Sequence, residues 1–284
     1  MRRSEGWDRA PARQVIATAL AEDVGAGDLT SQSVIPEDAR FRGVMAARQE
    51  LVVAGLEIAG EVFRAVEPEA VWTPRTTDGA RVAPGAVIAE IEGPARGLLT
   101  AERTALNLLQ HLSGIATLTR LYVDRIAGTG AVLLDTRKTI PGLRALAKYA
   151  TRVGGARNHR MGLYDGVLIK DNHIAVCGGI TAAVEKARAM TKSIEIEVEC
   201  DTLDQVREAV AAGADAILLD NMPCEVLRQA VVIVGGKART EASGGVTLDS
   251  IRAIADTGVN SISVGRITQS APAVDVGLDW QRAD

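Results

Sequence analysis

Aromatic side chains are scarce in this chain: tryptophan, tyrosine and phenylalanine together make up 3% of its 284 residues. Hydrophobic residues nevertheless reach 47%, and alanine, valine, leucine, isoleucine and glycine dominate. Small and branched residues of this kind suit helices that pack closely on a parallel sheet. Charged residues make up 24%, so the composition is typical of a packed globular protein and excludes a disordered one.

Cysteine and long apolar runs are also scarce. Cys177, Cys200 and Cys224 lie far apart and form no CxxC pair, and the histidines are three and scattered. We therefore expect reduced thiols and no structural zinc site. No apolar run has the length of a membrane span, and the first ten residues lack the apolar segment of a signal peptide. These absences predict a soluble, cytoplasmic protein with no membrane partner.

An excess of positive charge is absent as well. The formal net charge is −4 and the isoelectric point is about 5.6, whereas a general nucleic-acid binder is usually basic. A nucleic-acid partner is therefore not favoured. No glycine-rich dinucleotide fingerprint follows the first strand of the regular α/β region described below, which argues against a Rossmann domain.

The first part of the chain has the pattern of a mixed α+β module. Apolar residues at helical spacing predict helices over residues 12–22 and 56–66. Strand-like segments over 41–54 and 71–92 are separated by turn residues. Residues 100–127 then predict two helical stretches that meet near Ser113-Gly114.

From residue 131 onward, short apolar strands alternate with amphipathic helices, which predicts parallel βαβ units. The predicted strands are 131–135, 166–171, 194–199, 216–220, 238–243 and 261–265. The predicted helices between them include 179–190, 202–212, 223–233 and 247–257. Repeated units of this kind without a dinucleotide fingerprint favour a β/α barrel.

Polar residues follow each of the six predicted strands. Because active sites of β/α barrels lie at the carboxyl ends of the strands, six such positions in succession indicate a site rather than a chain leaving its core. In chain order the polar residues, glycines and one valine at these strand ends are Asp135, Thr136, Arg137, Lys138, Lys170, Asp171, Glu199, Asp220, Asn221, Ser243, Gly244, Gly245, Val264, Gly265 and Arg266.

The charges at these positions are sorted along the chain. Between Arg137 and Lys170 the only carboxylate is Asp165, and arginine and lysine suit a polyanionic ligand. We interpret Arg144, Lys148 and Arg152, which have helical spacing, as a solvated face. The later strands supply carboxylates, which suit ribose hydroxyls or a divalent cation that accompanies phosphate. The last two strands end in glycine turns that can bind phosphate through backbone N–H groups.

Seven segments of the chain have distinctive sequences: TAERTALNLLQHLSGIAT (100–117), DTRKTIPGLR (135–144), NHRMGLYDGVLIKDNH (158–173), IEVE (196–199), LLDN (218–221), EASGG (241–245) and SVG (263–265). These segments resemble the motifs of the quinolinate phosphoribosyltransferase family, in order, and the resemblance runs from about residue 20 to residue 280. The segments at 135–144 and 158–173 are long enough to be highly specific.

The resemblance implies an α/β protein of type II phosphoribosyltransferase architecture: an N-terminal α+β sandwich domain followed by an open, incomplete β/α barrel. Residues 1–113 would form the sandwich with its linking helix, residues 114–270 the catalytic barrel, and the tail 271–284 would pack back on the sandwich. The family works as a homodimer with an active site shared between subunits, and a hexamer stays open.

The implied activity is that of a pentosyltransferase of de novo NAD biosynthesis. Phosphoribosyl pyrophosphate and quinolinate would react, with Mg²⁺, to nicotinate mononucleotide, pyrophosphate and carbon dioxide. No organic cofactor would be required. The pyridine nitrogen would attack the anomeric carbon, and the resulting ring cation would accept the electrons released when the adjacent carboxylate leaves.

The resemblance also implies roles for individual residues. Quinolinate would be held by Arg103, Arg137, Lys138, His159, Arg160 and Lys170, with Arg103 reaching across the dimer. Phosphoribosyl pyrophosphate would be held by Thr136, Glu199, Asp220, Ser243, Gly244, Gly245, Val264 and Gly265. Lys138, Glu199 and Asp220 would be catalytic, and Glu199 and Asp220 would hold Mg²⁺ mostly through the substrate.

Two positions depart from the family pattern, and three other functions stay open. Many relatives have three glycines before the x-N-H-R motif, where this chain has Gly154-Gly155-Ala156 followed by Arg157, and Arg266 stands where a small residue is usual. A relative that acts at molybdenum-transport loci shares the fold. A lyase could use Lys170 for a Schiff base, and a barrel that only binds ligand would show no turnover.

Overall fold

The computed structural model describes residues 7–191 and 193–281, which form two compact units. The first unit comprises the described residues up to 120 together with 139–155 and 267–281, and the second comprises 121–138 and 156–266. The bounds expected from the sequence, 1–113 and 114–270, stay a prediction. The last three residues of the expected tail lie outside the described residues.

The helices and strands alternate regularly only in the second half of the chain. In chain order the helices are α1 (Arg9–Val24), α2 (Leu29–Val34), α3 (Leu56–Val66), α4 (Ala95–Arg125), α5 (Arg144–Gly154), α6 (Asp171–Cys177), α7 (Ile180–Met190), α8 (Leu203–Ala211), α9 (Cys224–Val234), α10 (Ile251–Ala255) and α11 (Arg266–Gln269). The strands are β1 (Arg40–Ala47), β2 (Leu51–Val52), β3 (Val71–Pro74), β4 (Arg81–Val82), β5 (Val87–Pro94), β6 (Val132–Leu134), β7 (Val167–Ile169), β8 (Ile196–Cys200), β9 (Ala216–Asp220), β10 (Arg239–Ser243), β11 (Ser261–Ser263) and β12 (Val276–Trp280).

The first unit is built on an antiparallel sheet with the order β12-β1-β5-β3. Strand β12, near the end of the chain, pairs with β1 from Gly43 opposite Trp280 to Ala47 opposite Val276. Helix α3 forms because its apolar residues share one face and because Asp78 caps its first turn, accepting hydrogen bonds from Gly55 N (2.8 Å) and Leu56 N (3.1 Å). Its buried residues, with Phe63 fully enclosed, join the core of this unit.

Helix α4 is continuous over 31 residues, so the prediction of two helices that meet near Ser113-Gly114 was wrong. The small residues there serve packing rather than a break. Ser113 Oγ accepts a hydrogen bond from Ala54 N at 3.0 Å, and a Cβ atom on Gly114 would lie 2.1 Å from the carbonyl oxygen of Pro272. Both neighbours could not approach the helix so closely if larger side chains stood at these positions.

Helix α5 gives a second correction. The spacing of Arg144, Lys148 and Arg152 predicts a solvated face, but Lys148 is fully buried and only its two neighbours in that series retain partial exposure. The buried face of α5 also contains Leu146, and it belongs to the first unit. The interpretation of this series as a wholly solvated face was therefore wrong at its central residue.

The second unit contains a parallel six-stranded sheet with the order β6-β11-β10-β9-β8-β7. All six strands fall where alternating apolar segments predicted them. Strands β6 and β7 are the first two strands of this sheet along the chain, but they lie at its opposite edges. In the described parts of the chain no backbone hydrogen-bond ladder joins them. The expected α/β class, with a separate N-terminal sheet and an open, incomplete barrel, is confirmed.

The register of this sheet places the polar side chains on one face. Glu199 of β8 lies opposite Leu218 of β9, which lies opposite Glu241 of β10, and directly paired residues of parallel strands point to the same side. Asp220 and Ser243 are likewise paired and end their strands. This face therefore has two levels of polar residues, one at the strand ends and one deeper in the sheet.

Among the described residues no helix is both long enough and apolar enough to cross a membrane. The three cysteines are free thiols, and Cys200 is buried in β8. Burial raises the pKa of the Cys200 thiol to about 12, and neighbouring carboxylates add to this shift.

Candidate active site

Asp135, directly after β6, organises the basic side of the site. Its carboxylate is fully buried and accepts hydrogen bonds from Asn158 Nδ2 (2.5 Å) and from the backbone N–H of His159 (2.9 Å). Backbone bonding between Leu133 and Arg157 joins the same segment to β6. The segment that carries His159 and Arg160 is therefore fixed to the end of β6 rather than left as a free loop.

Two arginines on this side of the site, Arg137 and Arg160, interact electrostatically. Burial lowers the pKa of Arg160, the neighbouring Arg137 cation lowers it further, and Glu197 and Asp165 act in the opposite direction. Arg160 Nη1 also donates to the carbonyl oxygen of Gly166 at 3.2 Å, which fixes the side chain. The like charges of these two guanidinium groups repel each other, and an anionic ligand relieves that repulsion. The sequence-predicted pair is thus brought together as an anion site.

His159, which directly precedes Arg160 in the chain, faces two buried acids. Its Nε2 lies 3.0 Å from Glu197 Oε2 and 3.6 Å from Glu241 Oε2, and its Nδ1 accepts a hydrogen bond from Arg160 N at 2.8 Å. Burial, followed by the charge of Glu197, raises the pKa of Glu241 to about 7. The electrostatic interaction with His159, and then hydrogen bonding to Ser263, opposes this shift.

Sequence reasoning missed Glu197 and Glu241 because they lie inside strands and not at strand ends. A signal was available in IEIEVE (194–199), where every second residue is acidic. That alternation places Glu197 and Glu199 on the same face of β8. Only the register of β8, β9 and β10 shows that Glu241 shares this face.

Lys170 and Glu199 form an ion pair between the ends of neighbouring strands β7 and β8. Lys170 precedes α6, and its backbone N–H donates to His173 Nδ1 at 2.9 Å. His173 therefore shapes the turn into the helix. The two predicted site residues are brought together, with the lysine on the basic side and the glutamate on the acidic side.

Asp220 and Ser243 end the two central strands. Asn221 follows Asp220 with a left-handed backbone, φ 52°, and its Nδ2 donates to Asp220 Oδ2 at 2.6 Å. The backbone N–H of Asn221 donates to the carbonyl oxygen of Ser243 at 2.9 Å. Gly244 and Gly245 continue with positive φ values of 91° and 60°. Helix α10 begins only at Ile251, so this glycine turn does not lead directly into a helix as the sequence suggested.

The ends of β6 and β11 complete the sheet edge. The backbone N–H of Val264 donates to the carbonyl oxygen of Leu134 at 3.1 Å, which places Gly265 beside the segment that follows β6. In that segment Thr136 Oγ1 accepts a hydrogen bond from Lys138 N at 3.0 Å, and the Lys138 side chain is exposed.

The remaining predicted residues lie elsewhere or at the surface. Arg103 is exposed on α4 in the first unit. Arg157 and Arg266 are exposed in the second unit, and Arg266 is the first residue of α11. The charge of Arg266 acts on Tyr122, whose pKa is raised chiefly by burial.

Two groups of side chains offer possible ligands for a metal ion. In the described part of the chain, His159, Glu197 and Glu241 have ligand atoms within 4.8 Å of one another, but the Arg160 cation interacts with Glu197 and disfavours a second cation. Glu199 and Asp220 supply two carboxylates on neighbouring strands; Glu199 also pairs with Lys170, but Asp220, at the end of β9, forms no ion pair with a cation among the described residues. Magnesium is usually held by one or two carboxylates plus substrate phosphate oxygens, so this pair fits a cation that arrives with its substrate.

Paired cations, facing carboxylates and glycine turns at the carboxyl edge of an open parallel sheet define an α/β enzyme that binds anionic small molecules. Two family models match the chain: "Quinolinate phosphoribosyl transferase, N-terminal domain" over residues 28–113, and the C-terminal domain of the same name over residues 115–279. The chain belongs to the quinolinate phosphoribosyl transferase family. The resemblance read from the motifs and the enzyme class, pentosyltransferase, are confirmed.

Individual relatives agree with the family assignment. The chain is 48% identical over 259 residues to a probable nicotinate-nucleotide pyrophosphorylase (carboxylating) of Bacillus subtilis, which covers 91% of this chain and 89% of the relative. It is 44% identical over 276 residues to the nicotinate-nucleotide pyrophosphorylase (carboxylating) of Mycobacterium leprae, covering 94% and 96%. The structure of the nicotinate-nucleotide pyrophosphorylase of Francisella tularensis superimposes with a TM-score of 0.94 at 42% identity, covering 98% of each chain.

Proposed function

We propose that this protein transfers the phosphoribosyl group of phosphoribosyl pyrophosphate to quinolinate and releases pyrophosphate and carbon dioxide. The observation that carries the proposal is the anchoring of the segment that contains Arg160 to Asp135, two residues before Arg137. Burial, and then the charge of Arg137, lowers the pKa of Arg160. Lys170 and Glu199 meet at the adjoining strand ends. A site with paired cations on one side and carboxylates on the other suits a dicarboxylate beside a phosphorylated sugar. The names of the relatives point to the same reaction.

The basic side is proposed to hold quinolinate. Two carboxylates need several cationic donors, and guanidinium groups bind carboxylates in a bidentate manner. The residues proposed for this side are Arg137, Lys138, His159, Arg160 and Lys170, together with Arg103 of the partner subunit. The participation of that arginine requires the homodimer that the family resemblance implies.

The acidic and glycine-rich side is proposed to hold phosphoribosyl pyrophosphate. Glu199 and Asp220 suit the ribose hydroxyls, and successive positive-φ glycines expose backbone N–H groups to phosphate. The residues proposed for this side are Thr136, Glu199, Asp220, Ser243, Gly244, Gly245, Val264 and Gly265. Asn221 lies against Gly244, donates its backbone N–H to the carbonyl oxygen of Ser243 and donates its side-chain amide to Asp220.

In the proposed reaction the pyridine nitrogen forms a bond to the anomeric carbon as the bond to pyrophosphate breaks. The carboxylates of Glu199 and Asp220 stabilise the positive charge that develops on the ribose, and Lys138 balances the leaving group. Glu199 and Asp220 are the residues that would hold Mg²⁺ together with the substrate, and the ion would supply further neutralisation of pyrophosphate charge. The ring nitrogen then carries a positive charge and accepts the electron pair left when the adjacent carboxylate departs as carbon dioxide. A proton from water takes the place of that carboxylate.

Lys170 gives no support to the alternative of a Schiff-base lyase. Its Nζ contacts a carboxylate oxygen of Glu199, as expected of an ammonium that balances charge. A Schiff-base nucleophile must instead be available as a neutral amine. Borohydride treatment in the presence of a carbonyl substrate should therefore leave the mass of the protein unchanged.

The test of the proposal is substrate selection by the purified protein. With phosphoribosyl pyrophosphate and Mg²⁺, we expect nicotinate mononucleotide from quinolinate and none from nicotinic acid, because nicotinic acid lacks the second carboxylate that the cations of the basic side would bind. Lys138→Ala should abolish most turnover while the protein still binds phosphoribosyl pyrophosphate. Equal turnover of both acids, or none with either, would contradict the proposal.

A further inference from the structure

Glu197 and Glu241 lie within strands β8 and β10, and both are more than nine-tenths buried. Each has a carboxylate oxygen close to His159 Nε2, at 3.0 Å for Glu197 and 3.6 Å for Glu241. The other oxygen of Glu241, Oε1, is buried without a hydrogen-bond partner in the described residues. Burial of two carboxyl groups costs free energy unless they have close partners. Here one imidazole ring lies close to both groups.

The imidazole ring is held at both nitrogens. Nδ1 accepts the backbone N–H of Arg160 at 2.8 Å, so the ring proton must reside on Nε2, where it faces Glu197. The backbone N–H of His159 is itself fixed by the buried Asp135. The ring therefore connects a pair of acids inside the sheet to the backbone of an arginine at its edge.

We infer that Glu197 and Glu241 are positioning residues that act through His159 to set the placement of the Arg160 guanidinium. The inference deepens the proposed function and rests on it, because Arg160 is taken to bind quinolinate. In this arrangement His159 contributes to quinolinate binding through Arg160, since both of its ring nitrogens already have protein contacts. The acids select the Nε2–H form of the ring, and that form leaves Nδ1 able to accept the Arg160 N–H.

A role through bulk charge makes the opposite prediction. Quinolinate is a dianion, so removal of a nearby negative charge should tighten its binding if charge alone matters. If Glu197 positions His159, its removal should weaken quinolinate binding although the site becomes more positive. The sign of the effect therefore separates the two roles.

The first experiment reads the ring directly and does not depend on turnover. The chain has only three histidines, so ¹⁵N-histidine labelling gives a spectrum in which His159 can be assigned by its loss in His159→Gln. In the wild-type protein we expect the Nε2–H tautomer at His159. In Glu197→Ala we expect a mixture of tautomers, and in Glu197→Gln, which keeps an acceptor, the wild-type form. An Nδ1–H ring in the wild type, or an unchanged ring in Glu197→Ala, would overturn the inference.

The second experiment divides the kinetic effect between the substrates. Glu197→Ala, and Glu241→Leu, should raise the KM for quinolinate about ten-fold or more, as for loss of a hydrogen bond to a charged group, with the KM for phosphoribosyl pyrophosphate nearly unchanged. Glu197→Gln should restore most of the loss. Equal increases for both substrates, or tighter quinolinate binding, would overturn the inference. No turnover by the wild-type protein would instead contradict the proposed function and leave the tautomer result to decide this one.

Glu195 provides the matched control. It belongs to the same acidic alternation before β8, but it is exposed and forms an ion pair with the exposed Arg239. Glu195→Ala removes the same number of atoms and the same charge without touching His159. Its quinolinate KM and its His159 spectrum should match those of the wild type.

Discussion

Gly244 lies so close to Asn221 that a Cβ atom on Gly244 would come within 2.1 Å of Asn221 Oδ1. Gly244 also has a φ of 91°, which side chains rarely adopt. Gly244→Ala should therefore displace Asn221 and, through its hydrogen bond, the carboxylate of Asp220. We expect weaker binding of phosphoribosyl pyrophosphate, by about ten-fold or more, measured by calorimetry without quinolinate.

Gly236 supplies the control for that variant. Its φ of 77° imposes a similar backbone strain, but a Cβ atom there would meet nothing within 4 Å. Gly236→Ala should cost some stability and leave the binding of phosphoribosyl pyrophosphate unchanged. A comparable loss of binding in both variants would show that backbone strain, and not the contact with Asn221, is responsible.

Arg137→Ala tests the division of the site into two sides. Loss of one of the paired guanidinium groups removes charge-assisted bonds to a carboxylate, worth about 1.5–3 kcal/mol. Quinolinate binding should fall by about ten- to one hundred-fold, while the affinity for phosphoribosyl pyrophosphate stays within a few-fold. Titration of each substrate into the variant measures both. Equal weakening of the two substrates would contradict the assignment of sides.

The sheet could be predicted from the sequence because each strand is a short apolar run with polar residues at its end, as in AILLD before Asn221. The polar residues at the strand ends also predicted a site for anionic ligands. What the sequence could not supply was long-range packing. Ser113 and Gly114 are residue types that often end a helix, but here they lie within the continuous helix α4. Their small size allows the backbones of Ala54 and Pro272 to approach the helix closely. The helical spacing of Lys148 with Arg144 and Arg152 predicts exposure to solvent, but the packing of helix α5 buries Lys148.

The missed acids show the same limit. The alternation in IEIEVE gives the face of Glu197, but its partners come from residues 38 and 44 positions away in the chain, His159 and Glu241. The sequence does not give the register between strands, and β8 and β10 are separated by β9 in the sheet. Residues whose role depends on such register stay hidden until the strand order is known.

Glu241 predicts a pH dependence of stability. Burial raises the pKa of its carboxyl group in the folded protein to about 7, so the folded state binds a proton that the unfolded state releases at lower pH. The contribution of this group is present below pH 4.5 and is lost as pH rises toward 7. Glu241→Gln, which stays neutral, should therefore show a smaller fall in the free energy of unfolding between pH 5 and 7, measured by urea denaturation. Parallel curves for the two proteins would contradict this assignment.

Tyr149 is expected to stabilise the first unit. Its hydroxyl donates to Asp78 Oδ2, which also caps α3 through the backbone N–H groups of Gly55 and Leu56. Burial raises the pKa of Tyr149, and the Asp78 carboxylate adds to the shift, so the hydroxyl remains a donor at all ordinary pH values. Tyr149→Phe should lower the free energy of unfolding by about 1–2 kcal/mol. Tyr164→Phe, at an exposed tyrosine, should have no measurable effect.

The most direct test of the proposed reaction follows the carboxylate that leaves. Quinolinate labelled in the carboxylate next to the ring nitrogen should be supplied with phosphoribosyl pyrophosphate and Mg²⁺, and labelled carbon dioxide and pyrophosphate measured together. The account predicts that both are released in equal amounts and that neither forms without the other substrate. Pyrophosphate without labelled carbon dioxide, or carbon dioxide without phosphoribosyl pyrophosphate, would contradict it.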